Sequence, residues 1–247
     1  MEILLILVGA SVGTLSGFFG IGGGMILIPL LLLIGVDIKS AIGISIVQMV
    51  FSSFYGSYLN YKRGSLILGD GLFVGAGGFI GGFIGAWVSL NVPEVVLEYL
   101  FLGLLIFALY RLFQAKVSED GGSVKSLNRA VLFFVGLIIG IFAISLGVGG
   151  SIMLTPILVG FLHYPIKKGV SAGLFFVTFS SISGLIAHIF AGDIDLRSAL
   201  FVAFASLVGV YLGVYLKEIV TSSKHKRYLL IMYMVALAIL IKKLLIG

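Results

Sequence analysis

The 247-residue sequence has few charged side chains and no cysteine. Charged residues make up 11% of the chain, whereas a soluble domain carries about 25%. So few charges cannot cover the surface of a soluble protein of this size, which excludes a soluble enzyme and a nucleic-acid-binding domain. Without cysteine there is no disulfide, no thiol nucleophile and no thiolate metal site.

Charge is also missing from the interior of long apolar runs. The runs 72–90, 95–110, 129–147 and 228–241 contain no charged residue or almost none. All ten carboxylates lie at the ends of such runs or between them, so none is placed to relay protons or bind Na⁺ inside a membrane. These features predict an all-α, multi-pass protein of the cell membrane whose surroundings are the lipid bilayer. The net charge of +6 then reflects lysines and arginines in loops rather than a nucleic-acid partner.

The apolar blocks divide the chain into two halves. Eight blocks run over 3–34, 41–61, 69–90, 95–113, 130–162, 169–190, 198–216 and 228–246. The segment 115–129 is polar and resembles a soluble linker. We therefore predict one transporter domain made of a first repeat over 1–114, a cytoplasmic linker over 115–129 and a second repeat over 130–247.

The two halves resemble each other in sequence. GIGGGMILIP at 20–29 aligns with GVGGSIMLTP at 147–156, with the prolines in register. After a shift of one residue, Gly56 aligns with Gly184 and Asn60 aligns with His188. Internal repeats related by a pseudo-two-fold axis are typical of secondary transporters.

The first and fifth blocks are too long for an ordinary span. Each has about 33 residues, about 50 Å as a continuous helix, whereas the hydrocarbon core is about 30 Å thick. A glycine-rich cluster interrupts each block, which predicts a re-entrant hairpin or a broken span. The hairpin arrangement places 12 lysines and arginines on one side and 4 on the other, so the first side is predicted to be cytoplasmic and both termini outside. Three crossings per half would then invert the second repeat relative to the first.

The two glycine clusters are the strongest candidates for a binding site. Consecutive glycines expose backbone N–H groups, and the return helices that begin near Gly24 and Ser151 point their positive dipole ends at the same region. Such donors select a small anion. The predicted donors are Gly20, Gly22, Gly23, Gly24, Gly147, Gly149, Gly150 and Ser151. Close helix packing is the alternative role of a glycine in a membrane helix. It is favoured for Gly77, Gly81, Gly85, Gly209 and Gly213.

Few polar side chains lie within the blocks, and three are candidates for contacts with the anion. The Gln48 carboxamide is far from both ends of its block, where such a group usually faces the bundle or a cavity. Ser45 is a weaker candidate because serine hydroxyls also bond to carbonyls of their own helix. His188 is either a substrate contact that titrates near neutrality or an interfacial histidine.

No enzyme or cofactor is predicted. The sequence has no HExxH motif and no Cys/His cluster to hold a metal. GASVG at 9–13 matches the nucleophile motif G-x-S-x-G, but it lies in an apolar helix without the required strand-to-helix turn.

Several motifs resemble one family, the sulfite exporter TauE/SafE family, also called the TSUP permeases. They are the GxGGG-x4-P signature in the first half, its GxGGS copy in the second half, and AHIFAGDIDL at 187–196. The resemblance covers nearly the whole chain. It implies that the substrate is a small sulfur-containing anion such as sulfite, sulfoacetate or another organosulfonate.

The sequence therefore predicts a permease or exporter that moves a small anion by alternating access around the two glycine clusters, with a homodimer left open. One alternative is a passive anion channel, which would show flux without saturation. Another is a membrane scaffold that moves no solute, which would have no need of two flexible clusters at membrane depth.

Overall fold

A computed structural model describes residues 2–66, 68–114, 128–160, 165–192 and 194–246. Over these residues the regular structure is helical, which confirms the predicted all-α fold. The ten helices are α1 Glu2–Phe19, α2 Gly24–Leu33, α3 Ile38–Lys62, α4 Leu68–Asn91, α5 Glu94–Gln114, α6 Arg129–Ser145, α7 Ser151–Gly160, α8 Ile166–Ala191, α9 Leu196–Ile219 and α10 Ser222–Ile246. The predicted linker 115–129 lies outside the described residues except for its last two positions.

Contacts between helix ends define two ends of the bundle. At the first, the His188 end, Lys39 Nζ donates to the carbonyl oxygen of Leu90 at 3.1 Å, and Ser89 Oγ lies 3.0 Å from His188 Nε2. At the second, the Lys217 end, Lys217 Nζ donates to Asn60 Oδ1 at 2.6 Å. Helices α3 and α9 therefore run from the His188 end to the Lys217 end, and α4 and α8 run in the opposite direction.

Helices α1 and α2 form a hairpin. A Cβ atom on Gly13 of α1 would lie 2.1 Å from the carbonyl oxygen of Ser206 on α9, and one on Gly17 would lie 2.5 Å from that of Val210. Because the residue numbers increase together along α1 and α9, the two helices are parallel. Helix α1 therefore runs from the His188 end towards the Lys217 end. Helix α2 returns to the His188 end, where α3 begins, so the chain enters and leaves this pair on one side.

Helices α6 and α7 form a second hairpin in the opposite sense. Helix α6 is parallel to α4: a Cβ atom on Gly136 would lie 2.0 Å from the carbonyl oxygen of Val74, and one on Gly140 would lie 2.6 Å from that of Gly78. It therefore starts at the Lys217 end, and α7 returns there, where α8 begins. Of the two arrangements that the sequence left open, the structure contains the hairpins. Their opposite senses are what an inverted repeat requires, and the repeat relation itself stays a prediction.

The surface and the helix lengths fit a membrane protein. Five described helical segments are long and apolar enough to cross a membrane: Ile38–Lys62, Gly71–Asn91, Glu94–Gln114, Ile166–Ala191 and Leu196–Ile219. Helix α10 has 25 residues and carries charges near both ends. Large apolar side chains such as Phe134 and Phe190 are 60% and 87% exposed, which places them against lipid.

Candidate functional site

Each hairpin turns through a short buried glycine-rich segment. The first tip, residues 20–23, joins α1 to α2, and the second tip, residues 146–150, joins α6 to α7. Positive φ angles occur at Gly20 (69°), Gly22 (78°), Gly23 (95°), Gly147 (60°) and Gly149 (71°). Residues that carry a side chain rarely adopt this left-handed backbone conformation, so these turns require glycine.

The two tips lie against each other inside the bundle. Ser45 Oγ on α3 donates to the carbonyl oxygen of Gly147 at 2.6 Å. A Cβ atom on Gly24 would lie 1.9 Å from that same oxygen, and one on Gly149 would lie 2.6 Å from the carbonyl oxygen of Ile21. Backbone can approach backbone this closely only because Gly24 and Gly149 carry no side chain.

The starts of α2 and α7 leave backbone donors without a partner. The N–H groups of Gly22, Gly23 and Gly24 donate to no acceptor in the described residues, and neither do those after Val148, at positions 149–151. The first helical bonds begin beyond them, for example Leu27 N to the carbonyl oxygen of Gly23 at 3.0 Å. Unpaired N–H groups at a helix start carry the positive end of the helix dipole, and both sets are buried. Unpaired donors of this kind at a helix start favour an anion over a cation.

A carboxamide faces the start of α2. Gln48 is fully buried on α3, and its Oε1 and Nε2 atoms have no hydrogen-bond partner in the described residues. A Cβ atom on Gly23 would lie 2.5 Å from Gln48 Oε1 and 2.9 Å from Nε2, so the carboxamide lies directly against this tip. Gln48 Nε2 therefore adds N–H donors next to those of the backbone.

A phenyl ring faces the start of α7 instead. The repeat register that pairs Asn60 with His188 pairs Gln48 with Phe176. Phe176 Cε1 would lie 2.3 Å from a Cβ atom on Gly150. The second tip is therefore covered by an apolar side chain where the first meets a polar one.

A serine and a glycine change places between the halves. Where α2 meets α3, Gly24 faces Ser45, and a Cβ atom on the glycine would lie 2.5 Å from Ser45 Oγ. Where α7 meets α8, Ser151 faces Gly173, and a Cβ atom on that glycine would lie 2.7 Å from Ser151 Cβ. Each contact has room for one side chain, which explains why Gly24 aligns with a serine. Ser151 Oγ is buried without a hydrogen-bond partner, which leaves it available to a ligand.

The structure separates His188 from the other predicted site residues. All the predicted backbone donors, together with Ser45 and Gln48, lie at the two tips. His188 is buried at the His188 end against Ser89. It follows Phe176 by three helical turns, about 18 Å along α8. His188 therefore lies apart from the tips, because α8 continues unbroken between them, and its role as a substrate contact stays a prediction.

Sequence reasoning did not predict the burial of Lys217. The apolar block 198–216 ends just before this residue, but in the structure Lys217 lies in the last turn of α9 with no exposed surface. One available signal was its place four residues after Gly213, on the packed face of α9. Another was its alignment with Ser89 in the repeat register.

Comparisons with known proteins find one matching family and several similar proteins. The family model for the sulfite exporter TauE/SafE matches residues 5–241. A probable membrane transporter protein of Bacillus subtilis, YdhB, is 30% identical over 217 residues, which cover 85% of this chain and 88% of that protein. A probable membrane transporter protein of Methanocaldococcus jannaschii, MJ0441, is 27% identical, with 92% and 90% of the two chains covered. No solved structure gives a significant match.

Proposed function

Because the chain belongs to the sulfite exporter TauE/SafE family, we propose that this membrane transporter moves a small sulfur-containing oxyanion or organosulfonate, such as sulfite or sulfoacetate. The anion binds at the two tips, and the protein exposes them alternately to the two sides of the membrane. The observation that carries the proposal is the set of unpartnered N–H groups at the buried starts of α2 and α7.

The physical argument is that an unpaired polar group inside a membrane protein is costly. Each buried N–H without a partner costs about 1–3 kcal/mol, and a hydrogen bond to an oxyanion recovers this and adds charge assistance. Three consecutive donors without a partner lie at Gly22, Gly23 and Gly24, and the Gln48 carboxamide lies beside them. A sulfite or sulfonate group presents three oxygens, which suits several donors from one direction.

The two tips contribute unequally in this proposal. The start of α2 is accompanied by Gln48, whereas Phe176 covers the start of α7. The first tip therefore provides most of the affinity for the anion. The second tip provides fewer accessible donors, and the Phe176 ring shields the anion from water.

Alternating access fits the opposite senses of the hairpins. The first hairpin starts and finishes at the His188 end, and the second starts and finishes at the Lys217 end. Their tips meet in between. Small rotations of one half against the other would open one route and close the other. Both tips are fully buried here, which favours an occluded transporter over a permanently open channel.

The sidedness of the membrane is part of the proposal. Arg63 and Lys167 lie at the Lys217 end, where they donate to the carbonyl oxygens of Val214 and Glu218 at 3.2 and 2.8 Å. By the positive-inside rule this end is cytoplasmic. Single cysteines introduced into this cysteine-free chain should be labelled from the cytoplasm at position 62 and from outside at position 37. The reverse pattern would contradict the orientation, and labelling of both from one side would show that α3 does not cross the membrane.

The function is tested by flux into liposomes that contain the purified protein. Sulfite, sulfate, sulfoacetate and taurine are compared with and without a pH gradient, and Gly23→Val protein serves as the inactive control. We expect saturable flux of at least one sulfur oxyanion or organosulfonate. Flux that rises linearly without saturation would indicate a channel, and no flux of any of the four would overturn the proposal.

A further inference from the structure

We propose that the buried ammonium group of Lys217 is a second anion-recognition site, where the anion binds as it passes between the first tip and the Lys217 end. This inference rests on the proposed function, because it requires an anion as the transported solute. It concerns residues about 18 Å from the tips along α3, so it can fail while the tip site stands.

Three helices meet at this ammonium group. Lys217 Nζ on α9 donates to Asn60 Oδ1 on α3 at 2.6 Å and to Ser171 Oγ on α8 at 2.8 Å. The lysine has no exposed surface. Asn60 Nδ2 is also buried and has no hydrogen-bond partner in the described residues. The Lys217 cluster, defined as these three residues, therefore holds an ammonium group beside an unused N–H donor.

Positive charge is in excess around the Lys217 cluster. Glu218 Oε1 lies 3.4 Å from Lys217 Nζ, but the glutamate side chain is 37% exposed and therefore partly screened by solvent. Arg63 and Lys167 lie at the same end of the bundle. A buried ammonium group with one partly exposed counter-charge is electrostatically favourable for an incoming anion.

The positive charge is not needed to pack the helix ends together at this position. The repeat register aligns Lys217 with Ser89 and Asn60 with His188. At the opposite end the aligned contact is between Ser89 Oγ and His188 Nε2, 3.0 Å apart, and the position of the lysine is taken by a serine. The same architecture is thus closed by a small serine in one half and by a lysine in the other. Structural closure does not account for the lysine, whereas recognition of an anion does.

A buried face of α3 connects the Lys217 cluster to the first tip. Gln48, Ser52, Gly56 and Asn60 follow each other at four-residue spacing and are all buried. Both ends of this face carry unpartnered amide groups, at Gln48 and at Asn60 Nδ2. The side chains of Leu174 and Val210 lie over the central Gly56 and separate the two ends. We therefore place the route of the anion along this face, with the two apolar side chains as the barrier.

The test measures transport from each side of the membrane separately. Whole cells and inverted vesicles present sulfite, and in parallel sulfoacetate, to opposite ends of the protein. Lys217→Met removes the charge and keeps most of the side-chain length, and Lys217→Arg keeps the charge. Lys62→Met is the matched control, since it removes an exposed lysine at the same end.

We expect Lys217→Met to raise KM for anion presented at the Lys217 end at least about tenfold, with less than about twofold change from the His188 end. Lys217→Arg and Lys62→Met should stay close to the wild type. Equal changes from both ends, or no change, would overturn the inference.

A folding control keeps the result interpretable. Lys217→Ser copies the serine that the first half has at the aligned position, so it should fold even if Lys217→Met does not. Failure of both variants to yield a monodisperse, cooperatively unfolding protein would show that the ammonium group is structural and would also overturn the inference. A wild-type protein that moves neither anion would instead refute the proposed function.

Discussion

The two tips are similar glycine-rich turns, but different side chains face them. Each is a buried turn with left-handed glycines, and each precedes a helix whose first N–H groups are unpaired. The first tip meets the Gln48 carboxamide, and the second meets the Phe176 ring. Under the proposed function, the duplicated backbone would supply the capacity to bind an anion, and one side chain in each half would decide where the anion binds more tightly.

The largest expected effect comes from adding a side chain at the first tip. Gly23 has φ of 95°, and a Cβ atom there would lie 2.5 Å from Gln48 Oε1. Gly23→Val should abolish anion transport, a loss of at least about 100-fold, because several charge-assisted hydrogen bonds are lost together. Liposome flux measures the loss, and size-exclusion chromatography in detergent checks that the protein still folds.

Substitution at the second tip sharpens the comparison. Gly150→Val should also abolish transport, since its side chain must displace the Phe176 ring that lies 2.3 Å from the Cβ position. Alanine should separate the two sites, because Gly23 has a left-handed backbone and Gly150 does not. Gly150→Ala should therefore keep more transport than Gly23→Ala. Normal binding and transport by both valine variants would show that the tips are structural.

An intermediate effect is expected from the side chains that distinguish the tips. Gln48→Leu removes the donor at the first tip and should weaken anion binding about tenfold. Phe176→Leu, the matched change at the second tip, should alter binding less than about twofold, since no polar group is lost. Isothermal titration of the purified variants with sulfite or sulfoacetate measures both. A larger loss of affinity in Phe176→Leu would reverse the assignment of the tighter site.

A smaller effect on transport is expected at glycines outside the tips that allow α4 and α9 to pack closely on the hairpins. A Cβ atom on Gly81 would lie 2.2 Å from the carbonyl oxygen of Leu137 on α6, and one on Gly209 would lie 2.0 Å from that of Ala10 on α1. Alanine at either position should cost about 1–3 kcal/mol of stability and spare transport per folded molecule. Thermal unfolding should show the loss, with Gly103→Ala, which adds its Cβ to open space, as the unaffected control.

Part of the fold and of the candidate site can be predicted from the local sequence. The low charge, the apolar runs and the glycine clusters were sufficient to predict an all-α membrane fold and the two broken blocks. Local sequence could not show which side chains lie against the tips, because Phe176 reaches Gly150 only through the packing of α8 on the second hairpin. For the same reason the burial of Lys217 was missed: it depends on α3 and α8 closing over the end of α9.

The smallest expected effect is at the first residue of α2 and α7, where the halves differ by the hydroxymethyl side chain of a serine. Ser151→Gly gives the second half the glycine that the first half has at position 24. Ser151 Oγ has no hydrogen-bond partner in the described residues, so little stability depends on it. Transport should change less than about threefold, in keeping with the modest value of one hydrogen bond. A complete loss of flux would make the Ser151 hydroxyl an essential contact and the second tip the tighter site.

The most direct test of the account is to observe the tip amides while the anion binds. Protein labelled with [15N]glycine reports the backbone N–H groups of all 35 glycines, and single substitutions assign the tip resonances. On titration with sulfite or sulfoacetate, we expect the largest chemical-shift changes at Gly22, Gly23 and Gly24, with smaller changes at Gly149 and Gly150. Saturable changes confined to other glycines, with the tip resonances unmoved, would contradict the claim that these backbone donors bind the anion.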